Sequence, residues 1–199
     1  LLKKNTLISW GDAISKKDRF GFNNDYNAIV PLADNSALLW TNHEYVHPLF
    51  IHGEMNPDKK TKSQIDQEMY NVGGSIIEIK KIKNGQWKLV KDSPYNRRIT
   101  GQTMIPFSKN ISIAGSNSAM GTLSNCAGGT TPWGSVLTCE ENYDNFYGER
   151  EHGERNRSKS GNGWEKFYDN PPEHYGWVVE INPKTGAAKK LVSLGRFQH

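Results

Sequence analysis

The sequence has few apolar residues and no long apolar run. Hydrophobic residues make up 35% of the 199 positions, and the mean hydropathy is −0.73. No stretch reaches the roughly 20 apolar residues that a membrane-spanning helix requires. The net charge of +4 is small and the lysines are scattered, so the sequence does not indicate a nucleic-acid-binding surface. The length suffices for one domain with a hydrophobic core, or for two small ones.

Cysteine is also scarce, with Cys126 and Cys139 the only two in the chain. A disulfide between them and metal ligation by one of them are both compatible with the sequence. Both lie in the segment "NCAGGTTPWGSVLTCEEN" (125–142), which ends in the adjacent glutamates Glu140 and Glu141. Because neighbouring carboxylates repel each other, this segment is either a plain turn and strand or a site for a cation.

Turn-forming and aromatic residues are abundant, with 19 glycines, 9 prolines, 6 tryptophans and 8 tyrosines. This composition favours an all-β class built from short strands. Asn84-Gly85 and the segment 182–186 are hairpin turn signals. The patterns predict single strands at 26–32, 36–45 and 133–142, and hairpins at 74–92 and 175–195.

Two segments depart from this strand pattern. Residues 61–71 show near-helical apolar spacing and are followed by Gly73-Gly74, which predicts one short helix. Residues 144–173 are polar and glycine-rich without periodicity, which predicts a long surface loop or a partly mobile insertion.

An internal repeat relates the two halves of the chain. Three pairs of segments match at an offset of about one hundred residues: 75–79 with 177–181, 88–90 with 190–192, and 38–44 with 135–141. Repeated sheet units of this kind predict a β-propeller, here part of one domain spanning 1–199. Equivalent strand ends of a propeller face one channel, so Glu44, Glu140 and Glu141 could converge on a cation. The alternative is that these glutamates are simply solvated at strand ends.

The sequence further resembles the PhoX-type alkaline phosphatases, in motifs that occur in the family's order along nearly the whole chain. These motifs are "WGD" (10–12), "FGFNNDYNAIVPL" (20–32), "TNHEY" (41–45), "SPYNRRITG" (93–101), "GTLSNCAGG" (121–129), "CEEN" (139–142), "YGWVVEINP" (175–183) and "LGRFQH" (194–199).

This resemblance implies a six-bladed β-propeller enzyme, exported through the twin-arginine route to the periplasm, that hydrolyses small phosphomonoesters. It implies a site with an iron (Fe3+) pair and calcium (Ca2+), in which Cys126 is the thiolate that bridges the irons. Glu44, Glu140 and Glu141 match the family's acidic ligands, and Arg97 or Arg98 is expected to contact phosphate. Cys139 is then expected to be a small buried strand residue.

The family block at "LGRFQH" normally continues with a ligand glutamate after the histidine, whereas here the sequence ends at His199, preceded by Gln198 in place of a basic residue. We therefore expect the chain to be an N-terminal piece of a longer enzyme and to be inactive on its own. Two other functions remain open: a calcium-binding propeller that acts as a recognition module, and a calcium-dependent propeller lactonase. Neither would need a thiolate. The oligomeric state is not indicated.

Overall fold

The computed structural model describes residues 4–150 and 155–197, and this part of the chain is mostly β. It contains three short α-helices: α1 (Pro48–Ile51), α2 (Lys62–Asn71) and α3 (Asp144–Tyr147). Its strands are β1 (Asn24–Ala33), β2 (Ser36–His43), β3 (Gly73–Lys81), β4 (Trp87–Leu89), β5 (Arg97–Ile99), β6 (Met104–Pro106), β7 (Ser118–Met120), β8 (Asn125–Thr130), β9 (Val136–Glu140), β10 (Val178–Ile181) and β11 (Ala188–Lys190).

The strands form two antiparallel sheets with the same up-and-down order, which we call the first and second blades. The first blade runs β1-β2-β3-β4, with β5 pairing the other end of β3, and the second runs β8-β9-β10-β11. A separate pair is formed by β6 and β7. The matched segments of the sequence repeat fall on equivalent strands of the two blades, so the repeat predicted from the sequence is confirmed.

Local sequence signals explain the hairpins and the helix. Gly85 has a φ of 83° in the turn between β3 and β4, a conformation that glycine adopts without steric cost. Thr61 and Gln64 form a reciprocal capping box at the start of α2, which satisfies backbone donors that the first turn leaves free. After α2, Gly73 has a φ of 92° and redirects the chain into β3.

The main core lies between the two blades. Trp40 and Ile76 of the first blade pack in one buried cluster with Val136 and Val179 of the second. Burying apolar surface contributes roughly 25 cal/mol per Å², so this shared core fixes the position of one blade against the other. The inner strands β1 and β8 are in contact across it.

The segment 144–173 differs from the surface loop predicted for it. Phe146, Tyr147 and Trp164 are fully buried in a cluster with Ile65 and Met69 of α2. The indole Nε1 of Trp164 also donates a 2.7 Å hydrogen bond to Glu68 on the same helix. Its few aromatic residues therefore anchor this polar segment, and residues 151–154 within it lie outside the described residues.

Candidate metal centre

The candidate site lies at one edge of the two blades, where each inner strand begins and its neighbour ends. In the antiparallel pairing Asn24 lies opposite His43, and Asn125 lies opposite Glu140. Because β1 and β8 pack against each other, these two strand ends lie at a shared edge. The residues that flank them carry the candidate ligands.

The two blades hold a glutamate in the same way just beyond the second strand. Asn23 and Ser124, which precede the inner strands, have left-handed φ angles of 50° and 51°. The Asn23 carbonyl accepts a 3.0 Å bond from the Glu44 amide, and the Ser124 carbonyl accepts a 2.8 Å bond from the Glu141 amide. Glu44 and Glu141 are therefore structural equivalents.

Each inner strand then contains a β-bulge, in which two residues lie opposite one residue of the partner strand. The first bulged residue is Asp25 in β1 and Cys126 in β8. A bulge breaks the side-chain alternation of a strand and can re-aim a side chain. The repeat thus places Asp25 and Glu44 from the first blade beside Cys126 and Glu141 from the second.

A glycine lets the inner strands approach at this point. A Cβ atom on Gly128 would lie 2.3 Å from the ring of Tyr26. This distance is too short for any side chain to be accommodated at position 128. Gly128, two positions after Cys126, is therefore required for packing between the blades. It lies within β8, so the segment after Cys126 is a bulged strand and differs from the tight turn that its glycines could have formed.

The side chains converge. One ligand atom from each of Asp25, Glu44 and Cys126 lies within 4.8 Å of the other two. The Cys126 thiol also hydrogen-bonds with Glu141 and with Asp25. Tyr45 hydrogen-bonds with Glu44, and its hydroxyl accepts a bond from the Asn142 side chain. Three carboxyl groups and one thiol therefore occupy a small space.

The electrostatics of this cluster oppose further negative charge. Burial, hydrogen bonds to Glu141 and Asp25, and the nearby carboxylates raise the pKa of the Cys126 thiol well above its ordinary value. Burial and the charge of Asp25 raise the pKa of Glu44. A cation held by these groups would favour their charged forms and reverse both shifts.

The donor set fits the metals that the sequence resemblance implies. Carboxylate oxygens are the ligands that calcium prefers, and a thiolate is a suitable ligand for iron. Both kinds of donor are present within one cluster of Asp25, Glu44, Cys126 and Glu141. The residues at this edge are therefore chemically compatible with a bound metal ion.

Three of the predicted ligands come together, and one residue of the cluster was not predicted. The structure brings Glu44, Cys126 and Glu141 to one edge of the blades, and their role as metal ligands stays a prediction. Asp25 was missed because the repeat comparison began at Leu38 and did not extend to the inner strands. Its signal was available in the acid at the start of the segment "DYNAIVPL" (25–32), directly before a predicted strand.

Glu140 lies elsewhere, in contrast to the metal-ligand role predicted for it. Its carboxylate is buried and accepts a 2.7 Å bond from Lys190 Nζ and a 3.1 Å bond from the Trp177 amide. Adjacent strand residues point to opposite faces, so Glu140 faces the interior of its blade while Glu141 faces the cluster. Its counterpart in the first blade is His43, which is likewise buried and bonded to Ser75.

The two arginines predicted to contact phosphate bond to backbone carbonyls. Arg97 donates to the carbonyl oxygens of Tyr95, Pro94 and Thr185. Arg98 donates to those of Gly74, Arg19 and Val72. A phosphate contact by either arginine stays a prediction, and this bonding argues against it.

The two thiols are not joined. Cys126 and Cys139 are both free, which removes the disulfide left open by the sequence. Cys139 lies on β9, is partly buried, and has a pKa that is raised by burial and by the neighbouring Glu140. Gln198 and His199 lie outside the described residues. The expectation of a missing ligand glutamate after His199 therefore stays a prediction.

Comparisons with known proteins support one family. The family model described as alkaline phosphatase PhoX matches residues 2–199. The solved structure of Pseudomonas fluorescens PhoX in complex with vanadate, a transition state analogue, is similar with a TM-score of 0.81 and 30% sequence identity. The likeness covers 98% of this chain and 41% of that chain. A search among curated proteins gave no match.

The structural likeness confirms the mainly β, partial propeller fold that the repeat predicted. The described part of the chain contains no helix long and apolar enough to cross a membrane. Because the family match extends over nearly every residue, this chain belongs to the alkaline phosphatase PhoX family.

Proposed function

We propose that this chain supplies part of the active site of a metal-dependent phosphatase that hydrolyses small phosphate monoesters. The observation that carries the proposal is the convergence of Asp25, Glu44 and Cys126 within 4.8 Å in a chain of the PhoX family. The relative from Pseudomonas fluorescens binds vanadate, described as a transition state analogue. Phosphoryl transfer is the corresponding chemistry for this chain.

The proposed metals are iron and calcium. Cys126 would hold iron as a bridging thiolate, and Asp25, Glu44 and Glu141 would supply carboxylate oxygens to iron or calcium. Bound cations of this kind neutralise the charge of a phosphomonoester and supply a hydroxide or oxide nucleophile near neutral pH. The sequence resemblance also named Glu140, which the proposal omits because Lys190 and Trp177 occupy its carboxylate.

The chain's own residues prepare this site in two ways. The raised pKa of Cys126 means that the thiol must lose its proton as the site fills, so filling is coupled to proton release. The Tyr45 hydroxyl accepts a hydrogen bond from the Asn142 side-chain amide. It also hydrogen-bonds with Glu44 and so holds the Glu44 carboxyl in place. Such outer contacts commonly orient the groups that bind metal.

The site is proposed to work in the periplasm after twin-arginine export, and family membership is the support for this location. The chain spans 41% of the length of the solved relative. Phosphatase activity is therefore proposed for the whole protein, of which this chain supplies a part. The expectation that the 199-residue piece alone is inactive stays a prediction.

Iron content and phosphatase activity test the proposal together. We expect the purified whole protein to contain iron and calcium and to hydrolyse an aryl phosphate. Cys126→Ser should remove both the iron and the activity, because a hydroxyl is a poor bridging ligand for iron. Cys139→Ser is the matched control and should keep both. Calcium without iron in an inactive protein would favour the recognition module instead, and calcium-dependent lactone hydrolysis would favour the lactonase.

A further inference from the structure

We infer that Asn42 is a positioning residue that fixes Cys126 against the first blade. The inference rests on the proposed function, in which Cys126 binds iron. Asn42 lies on β2 and is fully buried. Its side-chain Nδ2 donates a 2.5 Å hydrogen bond to the backbone carbonyl of Cys126, which belongs to the other blade.

The orientation of the Asn42 amide is set by a buried polar network. Its Oδ1 accepts a 2.7 Å bond from Trp40 Nε1 and a 2.9 Å bond from Thr138 Oγ1. The Thr138 hydroxyl in turn accepts a 3.1 Å bond from Asn125 Nδ2. Because two donors face the oxygen, the NH₂ group is directed at the Cys126 carbonyl.

The bond acts where regular strand pairing is interrupted. Cys126 begins the bulge of β8, and a bulge leaves a residue outside the ladder of inter-strand hydrogen bonds. Asn42 is two residues before Glu44 on the same chain segment. Its bond therefore ties the backbone that carries the thiol to the backbone that carries a carboxylate ligand.

A purely structural network would also contain these bonds, so the test needs a matched buried asparagine. Asn96 is buried as well, and its Nδ2 donates to the carbonyls of Ile14 and Val90 at 2.7 and 2.8 Å. Its Oδ1 accepts from the Glu78 amide at 2.7 Å. Asn96 thus makes equivalent bonds in the first blade without reaching Cys126.

The test compares Asn42→Asp with Asn96→Asp in the purified protein. Each substitution keeps the size and an acceptor oxygen, removes the NH₂ donor and adds an ionisable carboxyl. Asn96→Asp controls for the cost of placing that carboxyl in the protein interior. Iron affinity is measured by competition with a chelator. Loss of an outer contact to a metal ligand commonly costs about 10- to 100-fold in affinity, so we expect that loss for Asn42→Asp and near wild-type affinity for Asn96→Asp.

Hydrogen exchange of the metal-free protein gives a readout that does not depend on iron. Backbone amides of 125–129 should exchange up to about tenfold faster in Asn42→Asp, because one hydrogen bond that opposes local opening is lost. They should exchange at the wild-type rate in Asn96→Asp. If Asn42→Asp does not fold, Thr138→Val removes one supporting donor and should shift both readouts in the same direction, with Thr138→Ser restoring them.

The outcomes separate this inference from the proposed function. Equal effects of the two asparagine substitutions, or no effect of Asn42→Asp on iron affinity and exchange, would overturn the positioning role. A wild-type protein without iron, whose 125–129 amides still respond selectively to Asn42→Asp, would contradict the proposed function and leave the positioning role supported.

Discussion

Replacing Lys190 with methionine should strongly destabilise the second blade. The Nζ of Lys190 lies 2.7 Å from a Glu140 oxygen, and both side chains are 0% exposed. The ammonium also donates to the His174 carbonyl at 2.9 Å and lies over the ring of Tyr175. Burial lowers the pKa of Lys190, whereas the charge of Glu140 opposes that shift. The substitution leaves the Glu140 carboxylate buried without its cation.

The size of the effect follows from that burial. Removing one partner of a buried ion pair typically costs about 3–5 kcal/mol. For a chain of this length each kcal/mol lowers Tm by about 2–4 °C, so we expect Lys190→Met to lower Tm by about 6–20 °C. Lys189 is the matched control, because its pair with Glu180 involves a lysine side chain that is 52% exposed. Lys189→Met should cost below about 1 kcal/mol.

Thermal unfolding followed by circular dichroism measures both variants. The double variant Lys190→Met with Glu140→Leu should recover much of the lost stability, because apolar replacement of a buried pair is often neutral. Glu140→Gln should keep the wild-type metal content, since Glu140 lies outside the cluster. Equal Tm values for Lys190→Met and Lys189→Met, or loss of metal with unchanged stability in Glu140→Gln, would refute this reasoning.

Three further predictions concern buried and clustered charges. Asp25→Asn should lower the pKa of Cys126 and speed its alkylation in the metal-free protein, which mass spectrometry of the labelled peptide measures; an unchanged rate would contradict the raised pKa. Because the folded pKa of Glu44 is raised above about 4.5, the metal-free protein should lose stability as pH rises through that raised value. Glu44→Gln should abolish this loss in denaturant titrations at several pH values, and a wild-type slope in the variant would refute it. Glu68→Gln should lower the free energy of unfolding by about 3–5 kcal/mol, because Glu68 forms a buried ion pair with Lys60. Asp66→Asn on the same helix should lower it by less than about 1 kcal/mol in the same denaturation assay. Similar losses in the two variants would contradict the structural role of the buried pair.

Features encoded by short-range signals could be predicted from the sequence. The turn at Asn84-Gly85 and the turn at 182–186 each connect the two strands expected. The helix predicted over 61–71 is observed as Lys62–Asn71, with Thr61 as its cap. In each case the decisive residues lie within a few positions of the feature, so no tertiary contact is needed to recognise it.

Features that depend on contacts between distant segments were harder to predict. Glu140 and Glu141 are chemically identical neighbours, and only the bonds from Lys190 and Trp177 show which one is structural. The acid at position 25 is visible before a predicted strand, but the bulge that re-aims Asp25 toward Cys126 has no clear sequence signature here. The aromatic anchors of 144–173 were hidden by its polar composition, because three side chains scarcely change an average over thirty positions.

X-ray absorption at the iron edge tests the central claim most directly, because it detects the atoms bound to iron. The account predicts a sulfur neighbour of iron in the wild-type protein, lost in Cys126→Ser and retained in Cys139→Ser. Iron surrounded by oxygen and nitrogen alone in the wild-type protein, or a sulfur contribution that persists in Cys126→Ser, would contradict the assignment of Cys126 as the iron ligand.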